Sequence, residues 1–251
     1  MALFQVQCKS EMLGKQVRVN VVIPDGIRSA GPGATCPVVY LLHGLSDDES
    51  MWGRRTSVER YADDHQIAVV MPNGDRSWYL DIPAGKYESY IGDELPRLMR
   101  LYFPYLSDKR GQTMIAGLSM GGFGALHTAL KRPEQYGAVA CFSGAFRLSD
   151  FSRTFRLVSE GVLTGDPTGT DADVYMLAEQ AKDQKDKFPV YLWCGTEDGL
   201  FQSTVDMRDT LKESGFAVTY SETSGTHAWQ YWDREIKNAF DWWKPIREAA
   251  K

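Results

Sequence analysis

Residues 115–130 read IAGLSMGGFGALHTAL, an apolar run that passes through Ser119 into a helical pattern. Gly117, Gly121, Gly122 and Gly124 crowd around that serine. A glycine inside a helix costs about 1 kcal/mol relative to alanine, so three in the first turns demand a compensating reason. The segment Gly117-Leu118-Ser119-Met120-Gly121 fits G-x-S-x-G between a strand and a helix. In that setting the turn is too tight for side chains two residues before and two after the serine, and its strain lifts the hydroxyl above the sheet edge. Gly122 and Gly124 are then expected to let the helix pack close to neighbouring strands. A dinucleotide-binding reading fails, because Gly122-Phe123-Gly124 is followed by His127 where G-x-G-x-x-G needs glycine, and no P-loop pattern occurs.

Outward from this stretch, apolar strands alternate with helical patterns. PVVYLLHG (37–44), IAVVMPNG (67–74), QTMIAG (112–117), GAVACFSG (137–144) and FPVYLWCG (188–195) are continuous apolar runs of the kind buried on both faces, and FAVTYSE (216–222) adds a last strand. Helical segments fall between them: VERYADDHQ (58–66), YESYIGDELPRLMRLYF (87–103) with Pro96 inside, GGFGALHTALKRP (121–133), DVYMLAEQAKDQ (173–184) and STVDMRDTLKESG (203–215). AWQYWDREIKNAFDWWKPI (228–246) closes the chain as an amphipathic helix, not a membrane anchor. The pattern predicts an α/β fold with a mostly parallel, twisted sheet of about eight strands and helices on both faces. LFQVQCK (3–9) and KQVRVNVVIP (15–24) are expected to form an antiparallel edge, followed by the loop PDGIRSAGPGATCP (24–37). Residues 1–251 read as a single domain, with a lid-like excursion at about 146–188.

A serine hydroxyl needs a base, and the base needs an acid to hold its tautomer. After a G-x-S-x-G turn the order is Ser, then Asp or Glu, then His. Of four histidines, His43 and His65 precede the serine and His127 lies within its helix, facing away from the strand tips. His227, in SGTHAWQYW, follows the final strand and is the expected general base. The loop CGTEDGLF offers Glu197 and Asp198; Asp198 is preferred because its shorter arm suits a buried orienting role. Backbone N–H groups of Met120 and Leu45 are the expected oxyanion hole, while His43 holds the Leu45 loop by packing and hydrogen bonding. Trp52, Trp78, Tyr79, Phe201 and Trp229 lie near these loops, where each either walls a narrow apolar pocket or packs in the core. Arg54-Arg55 reads as a solvated helix face rather than a carboxylate clamp.

Composition narrows the partners. Twenty-eight Lys and Arg against 33 Asp and Glu give a net charge of −5 with no basic tract, which disfavours nucleic acid and anionic membranes. No signal peptide or membrane-spanning stretch is evident, and Cys8, Cys36, Cys141 and Cys194 lack metal-type spacing, so a reducing, cytoplasmic setting is expected. No metal or organic cofactor is required. Oligomeric state is not readable, although aromatic-rich surface elements leave a homo-oligomer open.

Five blocks, LLHGLSDDESMW (41–52), MPNGDRSWYLD (71–81), IAGLSMGGFGAL (115–126), CGTEDGLF (194–201) and SGTHAWQYWD (224–233), together resemble the esterase D-like branch of the α/β-hydrolases. That branch includes tributyrin and acetyl esterases, feruloyl esterases and S-formylglutathione hydrolases. The resemblance spans nearly the whole chain, weakens in the excursion, and is nearest to the bacterial tributyrin esterase type. It implies a serine carboxylesterase for short acyl esters, with Ser119, Asp198 and His227 as triad and Leu45 and Met120 as oxyanion donors. The cysteine associated with many S-formylglutathione hydrolases is missing around HGLSDDES, so that activity and feruloyl esterase activity stand as alternatives. An acyltransferase using the same triad, or a non-catalytic scaffold, would be more distant readings.

Overall fold

A computed structural model of the protein describes residues 1–31 and 33–250. Eight strands form one sheet in the order β1-β2-β4-β3-β7-β8-β9-β10. The antiparallel edge is β1 (Ala2–Ser10) and β2 (Lys15–Ile23), and β2 also runs antiparallel to β4 (Ala68–Pro72). The rest, β3 (Val38–Leu42), β7 (Thr113–Leu118), β8 (Ala138–Phe142), β9 (Val190–Gly195) and β10 (Val218–Thr223), run parallel to β4. A short hairpin, β5 (Asp81–Ile82) and β6 (Gly85–Lys86), stands apart from this sheet. Of the 24–37 loop, Asp25–Ser29 forms a 3-10 turn and Pro32 lies outside the described residues.

The strands are apolar throughout because both faces are covered. Along β3, Val38, Tyr40 and Leu42 enter one core, while Val39 and Leu41 enter the other. The first core packs under α4 (Leu95–Tyr102), α5 (Met120–Lys131), α7 (Val174–Gln180) and α8 (Phe201–Glu213). The second lies under α1 (Met51–Arg55), α2 (Val58–His65) and α9 (Trp229–Ala249). On α9 the buried residues Trp232, Ile236, Ala239, Phe240 and Trp243 recur at three- and four-residue spacing, the stripe of an amphipathic helix. The 146–188 excursion carries α6 (Phe151–Ser159) and α7, and Leu157, Val174 and Ala178 root it in the first core.

Pro96 is accommodated in a way the helical pattern alone does not reveal. The chain turns from α3 (Tyr87–Ser89) through a π-helical turn, Tyr90–Glu94, into α4, whose first turn contains Pro96. A proline ring clashes with the carbonyl four residues back and cannot donate a hydrogen bond; the wider turn moves that carbonyl aside.

At the strand–helix junction, a Cβ on Gly117 would lie 2.3 Å from Gly121 O, and one on Gly121 would lie 2.5 Å from Leu42 O. These neighbours are backbone and cannot yield. Gly121→Ala is therefore expected to destabilise the protein by about 3 kcal/mol or to prevent its accumulation, readable as the urea midpoint against wild type.

Candidate active site

The parallel strands present their carboxyl ends along one edge, and the loops there gather the chemistry. Ser119 follows β7 at φ 53° and ψ −117°, a conformation that non-glycine residues avoid. Backbone bonds hold it there: its N–H donates to Phe142 O (2.9 Å), and its carbonyl accepts from Phe123 N–H and Ala145 N–H (both 3.1 Å). Met120 opens α5, so its N–H has no partner within the helix and stands at the positive end of the helix dipole.

Three strand spacings separate β7 from β10, about 14 Å, so a base following β10 has to be carried back toward the serine. The 224–228 loop sets the imidazole against Asp198, on the loop that follows the neighbouring strand β9. His227 Nδ1 lies 2.8 Å from Asp198 Oδ2, with the aspartate side chain 1% exposed and the imidazole 39% exposed. Burial works to raise the Asp198 pKa, but the bonds from His227, the Leu200 N–H and the Ser143 hydroxyl outweigh it and hold the carboxyl below its usual range. The acid is thus ionised, buried and aimed at Nδ1, and Nε2 is not engaged by it. Among the described residues Ser119 Oγ makes no hydrogen bond to the imidazole; such contacts tighten once substrate is bound.

Glu197, the other acid of the loop, has a different employment. Its backbone N–H donates to Gly225 O (3.0 Å), and its carboxylate accepts from Gly225 N–H and the Ser224 hydroxyl. It clamps the loop that carries His227. The sequence did not disclose this, nor the part of Trp232, whose ring meets the His227 ring edge-on at 4.8 Å and whose Nε1–H donates to Ser143 Oγ (3.2 Å). A tryptophan five residues beyond the histidine gives no local signal of that packing.

The β3 loop lies beside Ser119 because Leu42 pairs with Gly117 in register. Asp47 N–H donates to Gly44 O and Asp47 Oδ2 accepts from Gly44 N–H (both 3.2 Å); neither bond uses the Leu45 amide. His43 is buried and bonded at both ring nitrogens. Gly74 N–H donates to Nε2 (2.9 Å), so the imidazole proton sits on Nδ1, 2.7 Å from Gly44 O. His127 is also buried, with Nε2 2.7 Å from Asp171 O and its ring stacked on Phe123.

Burial pushes the pKa of both His43 and His127 down. The unfolded chain therefore binds more protons than the native one as pH falls below about 6.5. Stability is expected to be full above that pH and to fall below it, by up to about 1.4 kcal/mol per pH unit for each histidine. Urea midpoints at pH 7.5, 6.0 and 5.0 measure this, and a flat profile would contradict the neutral, buried assignment.

The five aromatic pocket candidates separate by exposure. Trp229 and Phe201 are half-buried, Trp229 packing on Trp52 at 5.2 Å and Phe201 donating its N–H to Asp198 O. Trp52, Trp78 and Tyr79 are buried: Trp52 donates to Leu42 O, Trp78 packs on Phe123, and Tyr79 is wholly enclosed. These three pack among the elements that carry the loops, the core alternative of the two readings. A cavity of about 650 Å³ lined by His65, Lys109, Gln112, Lys244 and Arg247 opens at the amino ends of the strands, away from the serine. Among the described residues no cluster of His, Cys, Asp and Glu could hold a metal, and no helix is long and apolar enough to cross a membrane.

The Esterase family model matches residues 10–242. The chain belongs to the Esterase family. An acetyl esterase of Caldicellulosiruptor saccharolyticus is 28% identical, covering 99% of this chain and 100% of that protein. The fluorophosphonate-binding serine hydrolase F of Staphylococcus aureus superposes with a TM-score of 0.87 at 31% identity, over 97% of this chain and 98% of its own. An S-formylglutathione hydrolase of the same organism gives 0.85 at 31%, with the same coverage. The esterase thus has the α/β-hydrolase fold anticipated from its strand–helix alternation, and it is a carboxylic ester hydrolase.

Proposed function

We propose that the protein is a serine carboxylesterase that hydrolyses short-chain acyl esters, of acetyl or butyryl type, through Ser119, His227 and Asp198. The observation that carries the mechanism is the 2.8 Å contact between His227 and the buried Asp198, at the sheet edge where Ser119 tops the strained turn. His227 Nε2 takes the Ser119 proton as Oγ attacks the ester carbonyl. The Leu45 and Met120 N–H groups bind the oxyanion, and the imidazolium protonates the departing alcohol. Water, deprotonated by the same histidine, then releases the acid and restores Ser119. The chain works as one unit, with the 146–188 excursion as a lid-like rim, and its four buried free cysteines suit a reducing, cytoplasmic compartment.

Similarity to an acetyl esterase over the full chain supports the short-acyl preference. A second reading, thioester hydrolysis, is favoured by the likeness to an S-formylglutathione hydrolase. Measuring kcat/KM on p-nitrophenyl acetate, butyrate and octanoate, methyl ferulate and S-formylglutathione separates them. A maximum at acetate or butyrate is expected, whereas a dominant thioester rate would install the second reading and dominant methyl ferulate turnover would point to an aromatic acyl group.

A further inference from the structure

We propose that Tyr79 is a positioning residue for the oxyanion hole, its phenolic hydroxyl fixing the chain that leads to the Leu45 amide. The inference rests on the reading above that Leu45 N–H binds the oxyanion. Tyr79 is fully buried, and its hydroxyl donates to His43 O at 2.9 Å. That carbonyl belongs to the residue directly after β3, two residues before Leu45. The same histidine is tied by its side chain to Gly74 N–H, so the loops after β3 and β4 grip one another at His43.

The surroundings are shaped to deliver this one hydroxyl. A Cβ on Gly74 would come within 2.3 Å of the Tyr79 ring, and a Cβ on Gly124 within 2.3 Å of its other edge. Gly124 was expected to ease helix–strand packing; it makes room for this ring. Ser77 Oγ accepts from Tyr79 N–H (3.0 Å) and donates to Gly74 O (2.6 Å), closing the turn behind the ring. Trp78 and Tyr79 both adopt left-handed backbone, φ 56° and 57°. Two consecutive aromatic residues there are strained, and filling space alone would not call for it. A phenylalanine would fill the same space; only the hydroxyl reaches His43 O.

Oxyanion donors act only when held 2.7–3.1 Å from where the charge develops, and a displacement near 1 Å costs up to about 100-fold in rate. The cost falls on the transition state, so kcat should carry it and KM should not. The test compares wild type and Tyr79→Phe on p-nitrophenyl acetate, with binding of phenylboronic acid, which forms a tetrahedral adduct at a catalytic serine, and thermal unfolding of each. The expected result is a kcat about 10–100-fold lower, KM within about two-fold, and boronate affinity falling in step with kcat/KM. Should that variant not fold, Ser77→Ala loosens the same ring from behind and is expected to give the same split. Unchanged kcat in a folded variant overturns the inference, as does a loss explained by a smaller folded fraction with boronate affinity per folded molecule intact. A wild type that neither turns over ester nor reacts with a fluorophosphonate would overturn the esterase mechanism itself, and this inference with it.

Discussion

Ser119→Ala is expected to lower kcat on the preferred ester by about 10⁵–10⁶-fold while the protein stays folded. Among the described residues the other serine with left-handed backbone, Ser143 at φ 48°, is fully buried and bonded to Trp232, so on the proposed mechanism it does not substitute for the lost nucleophile. The residual rate should be that of water attacking an ester already bound and polarised, roughly 10³–10⁴ above the uncatalysed reaction. Alanine tolerates φ 53° no worse than serine, and the bonds that hold the turn come from the backbone of Ser119, so they survive the change. Thermal unfolding within about 3 °C of wild type, with fluorophosphonate labelling abolished, is the accompanying signature. A variant that keeps more than a hundredth of the activity would move the nucleophile elsewhere.

Asp198→Asn should cost about 10⁴-fold in kcat, with a structure that is nearly unchanged. The carboxylate accepts a proton-bearing Nδ1 from His227; an amide turned the other way donates to Nδ1 and drives the imidazole proton to Nε2. The base then offers Ser119 a donor where it needs an acceptor. Glu197→Gln is the matched control. Glu197 shares the loop and a carboxylate, yet its bonds go to Gly225 and Ser224, so its loss should loosen the His227 loop and lower kcat by less than about ten-fold. Equal losses in the two variants would refute the division of labour between the neighbouring acids, and a deeper loss in Glu197→Gln would reverse it.

That division marks where reading the sequence reaches its limit. The sheet was legible because its strands are buried on both faces, so PVVYLLHG or IAVVMPNG admits little except a covered parallel strand. The serine turn was legible because its glycines have no cheaper explanation. Glu197 and Asp198 are adjacent and alike; the shorter arm pointed to Asp198 as the partner of His227, but the clamp made by Glu197 shows only in the direction its side chain takes from the backbone. Tyr79 was harder still. Its composition suits a pocket wall, and nothing in an aromatic pair announces left-handed backbone or a hydroxyl carried to a carbonyl 36 residues earlier. Pro96 reads as lying inside one helix over 87–103, whereas the chain absorbs it with a wide turn just ahead of α4. For Glu197, Asp198 and Tyr79 the deciding contact joins residues distant in sequence, which leaves no periodic trace in either segment.

The return loop after β10 also orders events in time. During translation Ser119, its strand and its helix emerge early, but His227 follows about 110 residues later, and at ~5–20 residues per second the interval is roughly 5–20 s. The imidazole is seated by Trp232 from the last helix, so even a nascent chain that exposes His227 has no settled base until α9 docks. Through that interval the serine is a turn residue without a proton acceptor. By the proposed mechanism the chain cleaves no ester it meets while still partly folded, and hydrolysis waits for α9 to dock.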